Sequence, residues 1–305
     1  MSLPVIGFIG LGYMGHGMAK NLLAAGYPLI VKGHRNRKPV ASLVAQGAEE
    51  ARSLVEVAKR CEIIHLCLSN SAQVEAVVRG PGGLLEGVRS GSIVIDCSTS
   101  DPTSTLALAG ELAARGATLV DAPLGRTPRE AEAGTLDTMV GCDEDLFERL
   151  LPVLRCWAAN INRVGPTGAG HKMKLLMNFI SMGYAALYSE ATVLGAKVGL
   201  PPQELRRVIG SSRLTNGFFD TFMNYVCDRN RDAHKFTIAN GSKDLRYLNA
   251  MAAEAGVMNL IAGPAHQYFV HAEATGHAGD YVPMLSDHVA ALNGVNLADE
   301  VEKGK

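Results

Sequence analysis

Short apolar runs alternate with longer amphipathic stretches through the first half of the chain. "PVIGFIG", "YPLIVK", "EIIHLCL", "GSIVIDCS" and "GATLVDAPL" have the length of strands, while "GHGMAKNLLAAG" and "STLALAGELAARG" read as helices. The runs are apolar at consecutive positions, not alternate ones. Strands of that kind are buried on both faces, which predicts a parallel sheet with helices on either side. From about Gly165 the character changes. "GAGHKMKLLMNFISMGYAALYSEATVLGAKVGL" reads as one long helix without an internal proline, and "SKDLRYLNAMAAEAG" is helical in pattern too. The prediction is an α/β fold: a doubly wound, Rossmann-type parallel sheet over residues 1–164, then an all-helical domain over 165–305. The polar tail "ADEVEKGK" is expected to fray.

Composition narrows the classes. Apolar residues make up 47% and charged residues 19%, a globular balance. A formal net charge of −1 offers no field for nucleic acid or an anionic membrane surface, so neither is expected as a partner. "MSLPVIGFIGLG" has no basic start and no small-residue cleavage site, and no apolar run reaches the length of a membrane span. The cysteines (Cys61, Cys67, Cys97, Cys142, Cys156 and Cys227) form no CxxC pair. Reduced, buried thiols in a cytoplasmic protein are the expectation. No metal is implied, since no His/Cys/Asp cluster has ligand spacing.

Four stretches carry chemistry. Gly10-Leu11-Gly12-Tyr13-Met14-Gly15 follows a strand and opens a helix. Gly10 suits the tight turn, Gly12 lets a pyrophosphate approach the backbone, and Gly15 lets helix and strand pack closely. A diphosphate there would meet free N–H groups and the positive end of the helix dipole. The plainer alternative is a glycine turn needed for packing alone. The second strand then runs into Gly33-His34-Arg35-Asn36-Arg37, where NAD sites place an acid for the ribose diol. A 2′-phosphate would repel a carboxylate and accept a bidentate guanidinium, so this stretch reads as an NADPH selector with Arg35 and Arg37 as grips. Without that role it is the solvated start of a helix.

The third stretch, "GPTGAGHKMKLLMN", puts Lys174 and Asn178 four residues apart on one helical face. Its three leading glycines let the chain pass close to something bulky. A lysine beside a nicotinamide can exchange a proton with a carbonyl or alcohol, provided burial and nearby cations lower its pKa from about 10.4. On residue type alone Lys172 is an equal rival, and either is equally a solvated lysine at a helix start. The fourth stretch, "DAPLGRTPREAEAGTL", leaves a strand's carboxyl end, where open α/β sheets bind ligands. Arg126 is there either to hold a small anionic group or as a surface arginine in a turn.

Taken together, "GFIGLGYMGHGMAKNL", "DCSTSDP", "DAPLGRTPREAEAGTL", "GAGHKMKLLMN" and "SKDL" resemble, in order and spacing, the β-hydroxyacid dehydrogenase family. Its members include 3-hydroxyisobutyrate dehydrogenase, tartronate semialdehyde reductase and sulfolactaldehyde reductase. The resemblance covers nearly the whole chain. It implies a Rossmann domain and a helical domain joined by a long helix, assembled as a homodimer or homotetramer. It implies that Lys174 is the catalytic lysine and that Asn178 helps to hold the substrate. Lys243 matches the lysine near the nicotinamide and Asp244 its companion. Ser98 and Thr99 match residues near the substrate and the nicotinamide ribose, and Leu68 and Ser69 fall in a loop along the cofactor.

Two departures bear on the substrate. Most members read Ser-Gly-Gly where this chain has Gly125-Arg126-Thr127, and Gly-Arg-Thr resembles sulfolactaldehyde reductase, where the arginine is implied to grip a sulfonate. Many members carry two adjacent asparagines where this chain has Met177-Asn178. The expectation is an NADP(H)-preferring oxidoreductase that interconverts a small anionic semialdehyde and its hydroxy acid, with Lys174 as proton donor and acceptor. Sulfolactaldehyde reduction and imine reduction are the alternatives on the same scaffold. Imine reductases usually replace the lysine, so Lys174 favours the carbonyl. A non-catalytic dinucleotide-binding module is disfavoured by Lys174, Asn178 and Lys243 together.

Overall fold

The computed structural model describes residues 3–304. Its sheet contains β1 (Ile6–Ile9), β2 (Leu29–Lys32), β3 (Glu49–Glu50), β4 (Ile63–Leu66), β5 (Ile93–Asp96), β6 (Thr118–Asp121), β7 (Leu124–Gly125), β8 (Leu136–Gly141) and β9 (Ala158–Gly165). The spatial order is β3-β2-β1-β4-β5-β6-β8-β7, with β9 beside β8. Pairs from β3 through β6 are parallel, and β8 runs antiparallel to β6 and β7. The order turns back between β1 and β4, the switch point at which a doubly wound sheet opens a crevice at its strands' carboxyl ends. The stretches that start at Gly10, Gly33, Leu68, Asp96 and Asp121 begin at or just past the carboxyl ends of β1, β2, β4, β5 and β6.

Every residue of β1, β4 and β5 is buried, as consecutive apolar runs require. Side chains alternate across the sheet and feed two clusters. Phe8, Met18, Leu22, Val31, Ile95 and Trp157 lie in one; Ile64, Leu66, Val74, Val94 and Leu112 lie in the other. Each such side chain contributes roughly 1.5–3 kcal/mol by leaving water. Local signals set the helix starts. Asp101 accepts from Thr103 N at 3.0 Å and is followed by Pro102 in the first turn, while Ser53 accepts from Glu56 N at 3.1 Å.

The chain divides into two compact units, Met1–Lys174 and Leu175–Lys305. The helix Ala169–Lys197 runs through the division. The second unit is helical, with Phe219, Phe222, Phe269, Met182 and Leu285 in its core. Gly241 lets the helix Ile238–Glu254 approach its neighbours: a Cβ there would lie 2.8 Å from Phe269 and 2.9 Å from Met182 Sδ. The tail corrects an expectation. Leu297–Lys303 is a helix, begun by Asn296 and held by buried Leu297 and Val301. Lys305 lies outside the described residues.

The six cysteines are all free, and burial pushes the Cys61 and Cys67 thiols up to about 12, which leaves them unreactive. Among the described residues no helix is long and apolar enough to cross a membrane.

His65 on β4 is fully buried, stacked on Phe8 at 5.4 Å and edge-on to Trp157. Neither ring nitrogen has a hydrogen-bond partner among the described residues, and burial pushes its pKa down to about 3. The folded chain therefore keeps this ring neutral, whereas the unfolded chain protonates it near pH 6.5. Stability that is complete above pH 6.5 is lost as the pH falls toward 3, at up to ~1.4 kcal/mol per pH unit. His65→Phe is expected to flatten the fall in stability between pH 7 and pH 5, measured by denaturant unfolding. An unchanged slope would acquit His65.

Candidate active site

The first unit gathers its motifs at the carboxyl ends of the strands. Gly10 has φ +98°, and any Cβ on it would strike the carbonyl of Cys67 after β4. A Cβ on Gly15 would strike the carbonyl of Gly10, so that glycine is required by helix–strand packing. Gly12 differs: a Cβ there would meet nothing within 4 Å. Its open side faces no protein atom. The helix Gly15–Ala24 begins without a side-chain cap and without an acid in its first turn. An uncapped N-terminus beside an open glycine fits a dinucleotide diphosphate, with Leu11, Tyr13 and Met14 forming the rest of the turn.

The end of β2 explains itself through β3. Arg37 Nη1 and Nη2 donate to Glu50 Oε1 and Oε2 at 2.8 and 2.5 Å. A Cβ on Gly33 would press into Arg37 Nη1 and lie 2.9 Å from Glu50 Oε1. This clasp fills the room that a side chain at position 33 would need. The Arg37 hydrogen bonds and charge hold the Glu50 carboxyl below its usual range. His34, Arg35 and Asn36 are exposed, and none of the described residues pairs with the Arg35 guanidinium.

Farther along the sheet, Ser98 accepts from Leu68 N at 2.9 Å, which ties the loops after β4 and β5 together; Ser69 is exposed and Thr99 half-buried. Ser98 N in turn donates to Asp96 Oδ1 and Ser100 Oγ to Asp96 Oδ2, at 2.9 and 2.8 Å. Buried Asp121, at the end of β6, accepts from Gly168 N at 2.6 Å and His171 N at 2.8 Å. It therefore satisfies the first N–H groups of the helix that carries Lys174. Gly170 sits so close that a Cβ would lie 2.8 Å from Asp121 Oδ2 and strike Met139 O. The bulk that this glycine makes room for is thus the carboxylate and β8, not a ligand.

His171 is fully buried, with Nδ1 2.7 Å from Thr105 Oγ1 and Nε2 3.8 Å from Asp96 Oδ2. Sequence reasoning passed over it. Its signal was a histidine directly before the lysines, with two aspartates ending neighbouring strands. Lys172 is exposed and Lys174 half-buried.

The substrate-loop candidate has its own geometry. Gly125 pairs with Asp137 across β7 and β8, and Thr127 caps the helix Pro128–Ala133 in a capping box with Glu130. Between them Arg126 adopts φ +75°, a region that favours glycine. Its Nε lies 2.8 Å from Asp137 Oδ1, to which Asn160 also donates at 2.7 Å. In the second unit, buried Asn178 donates to Asp244 Oδ2 at 2.5 Å, and Lys243 Nζ lies 2.9 Å from Asp244 Oδ1. One buried carboxylate thus aligns an amide and an ammonium group.

Residues 5–165 match the family model for the NAD binding domain of 6-phosphogluconate dehydrogenase. Residues 168–288 match the model described as NAD-binding of NADP-dependent 3-hydroxyisobutyrate dehydrogenase. The chain belongs to the β-hydroxyacid dehydrogenase family. It is 37% identical over 271 residues to 2-(hydroxymethyl)glutarate dehydrogenase of Eubacterium barkeri, covering 89% of this chain and 90% of that one. It is 33% identical over 275 residues to 3-sulfolactaldehyde reductase of Escherichia coli (strain K12), covering 90% and 92%. Among solved structures, Mycobacterium tuberculosis 3-hydroxyisobutyrate dehydrogenase with L-serine matches at a TM-score of 0.84 and 27% identity, over 95% of this chain and 99% of that one. This member of the β-hydroxyacid dehydrogenase family is accordingly an NAD(P)-dependent oxidoreductase of the hydroxy acid–semialdehyde class, with a Rossmann domain followed by a helical one.

The two kinds of glycine predict opposite phenotypes. Gly12→Ala should leave stability within about 0.5 kcal/mol of the parent yet weaken dinucleotide binding. Gly170→Ala should destabilise by roughly 1–3 kcal/mol through overpacking. Thermal unfolding and fluorescence titration with the dinucleotide separate the two. A stability loss in Gly12→Ala would count against the open cradle.

Proposed function

We propose that this enzyme interconverts a small anionic semialdehyde and its hydroxy acid, preferring NADPH to NADH. The observation that carries the substrate class is Arg126: an exposed guanidinium held by Asp137 on a backbone that disfavours any side chain. An arginine has five N–H donors, so the contact with Asp137 leaves the others for a carboxylate, sulfonate or phosphate. Gly125 and Thr127 flank it, and Ser98 is the further candidate for substrate contact.

The bound nicotinamide supplies or accepts the hydride. The chain's own part is the proton and the alignment. In reduction Lys174 Nζ gives a proton to the carbonyl oxygen as its carbon becomes tetrahedral, and in oxidation it takes one from the hydroxyl. Lys174 precedes Asn178 by one helical turn, so proton transfer and substrate contact fall on one face. Asp244 keeps the Asn178 amide turned to a fixed direction and holds Lys243 beside it. His171, Asp121 and Asp96 position the helix start and make no contact with substrate in this reading.

For the cofactor, Arg35 is the open grip and Arg37 the anchored one. Two of the Arg37 donors bind Glu50 and three remain for a 2′-phosphate. A second reading has one specific support. Glu50 brings a carboxylate to Gly33 across strands, and a carboxylate there is what an NADH ribose would use.

The exposed apolar residues Leu176, Ile180, Leu187, Leu194 and Val198 repeat at three- to four-residue multiples along the Ala169–Lys197 helix and just past its end. A continuous stripe of this kind supports a second copy of the chain as partner, in a homodimer or homotetramer.

Cofactor oxidation over a panel of carboxylated and sulfonated semialdehydes tests the reading. Lys174→Ala should lose at least about a hundredfold in turnover with dinucleotide affinity kept, while Lys172→Ala stays active. Arg126→Gly should raise KM for the anionic aldehyde without loss of stability. Arg35→Gln should weaken NADPH and spare NADH; if Glu50→Gln instead abolishes use of NADH and NADPH is poor from the outset, the second reading holds. Ile180→Glu with Leu187→Glu should lower the mass of the assembly in sedimentation.

A further inference from the structure

Away from the residues assigned to the dehydrogenase reaction, the second unit brings together two histidines and an aspartate that the sequence keeps apart. His277 and Asp280 lie in the loop after the helix Ala262–Ala274, and His288 lies on the helix Leu285–Leu292. His277 Nδ1 and His288 Nε2 each stand 3.1 Å from the same oxygen, Asp280 Oδ2. All three ligand atoms lie within 4.8 Å of one another, and the imidazole centroids are 4.2 Å apart. The other carboxylate oxygen, Oδ1, has Arg231 at 3.7 Å, so Oδ2 is the atom left to the histidines.

The spacing suits a metal. Bonds of about 2.05 Å set ligands roughly 2.9 Å apart on an octahedral edge and roughly 3.3 Å apart on a tetrahedral one. The observed 3.1 Å falls between them. Two imidazoles with one carboxylate select zinc and its transition-series neighbours, and not magnesium or calcium, which take oxygen donors. The side chain of His288 is 15% exposed and that of His277 is 46%, so the group is braced on one side and open to water on the other. The loop is also fixed before any ion arrives. Asp280 N donates to His277 O at 3.0 Å, Ile238 N to Asp280 O at 2.7 Å, and Ala239 N to Ala278 O at 3.0 Å.

We propose that His277, Asp280 and His288 form a zinc site, with water completing the shell, that clamps the loop and the Leu285–Leu292 helix to the start of the helix bearing Lys243 and Asp244. The expectation of no metal came from linear spacing. His-x2-Asp-x7-His matches no familiar ligand pattern, and the convergence exists only in three dimensions.

The test uses the full chain without a histidine tag, stripped with a chelator and then titrated with zinc by calorimetry and with cobalt(II) by visible absorption. One ion per chain is expected, together with a rise in thermal midpoint on adding zinc. Loss of even an outer-shell partner costs metal sites about 10–100-fold, so His277→Gln and His288→Gln together should weaken zinc at least about tenfold and remove the thermal shift. His277→Gln alone, at an exposed position, serves as the variant that folds normally, and it should weaken zinc in the same direction. Equal zinc affinity in the parent and the double variant would overturn the proposal, as would a parent that binds no zinc or that binds magnesium equally well.

Discussion

The buried carboxylate of Asp121 is the fixed point around which the first unit is organised. It closes β6, receives two backbone N–H groups from the start of the Ala169–Lys197 helix, and has Gly170 pressed against it. A buried charge is tolerated only when hydrogen bonds replace its water. Here those bonds come from the orphan donors of a helix N-terminus, so one contact satisfies both partners. His171 extends the arrangement to Thr105 and toward Asp96, and Asp96 in turn holds the loop of Ser98. The start of the helix that carries Lys174 is therefore held at the ends of two strands.

The glycines divide along the same line. Gly10, Gly15 and Gly170 are required because protein atoms occupy the space a side chain would need. Gly12 has no such neighbour, so its bare backbone serves something other than the fold. Arg126 inverts the case: a long side chain sits at a positive φ, with its guanidinium held by Asp137. Gly33 is a third kind, kept small by a salt bridge formed between two other residues.

Much of this was legible in the sequence because it is local. Consecutive apolar residues gave away the buried strands, and the glycines at residues 10–15 marked the turn from β1 into the helix Gly15–Ala24. What escaped was contact between residues far apart in the chain. Glu50 reaches Gly33 only because β3 lies beside β2, and Gly170 meets Asp121 only after the sheet has formed. His277 and His288 converge through a loop whose path is set by the neighbouring helix. The tail was a different failure, because its signal was present. Asn296 followed by Leu297 and Val301, four residues apart, is a cap and a helical stripe hidden among charges.

The clasp between Arg37 and Glu50 bears on how such a domain can be rebuilt. Cofactor preference in Rossmann domains is commonly treated as a property of one loop, transferable by swapping a few residues after the second strand. In this chain the loop's arginine is oriented by a carboxylate on the next strand, and the glycine before it is small to make room for both. A graft of residues 33–37 into another scaffold would carry the cation without its clamp. Keeping Arg37 in its observed orientation requires both adjacent strands.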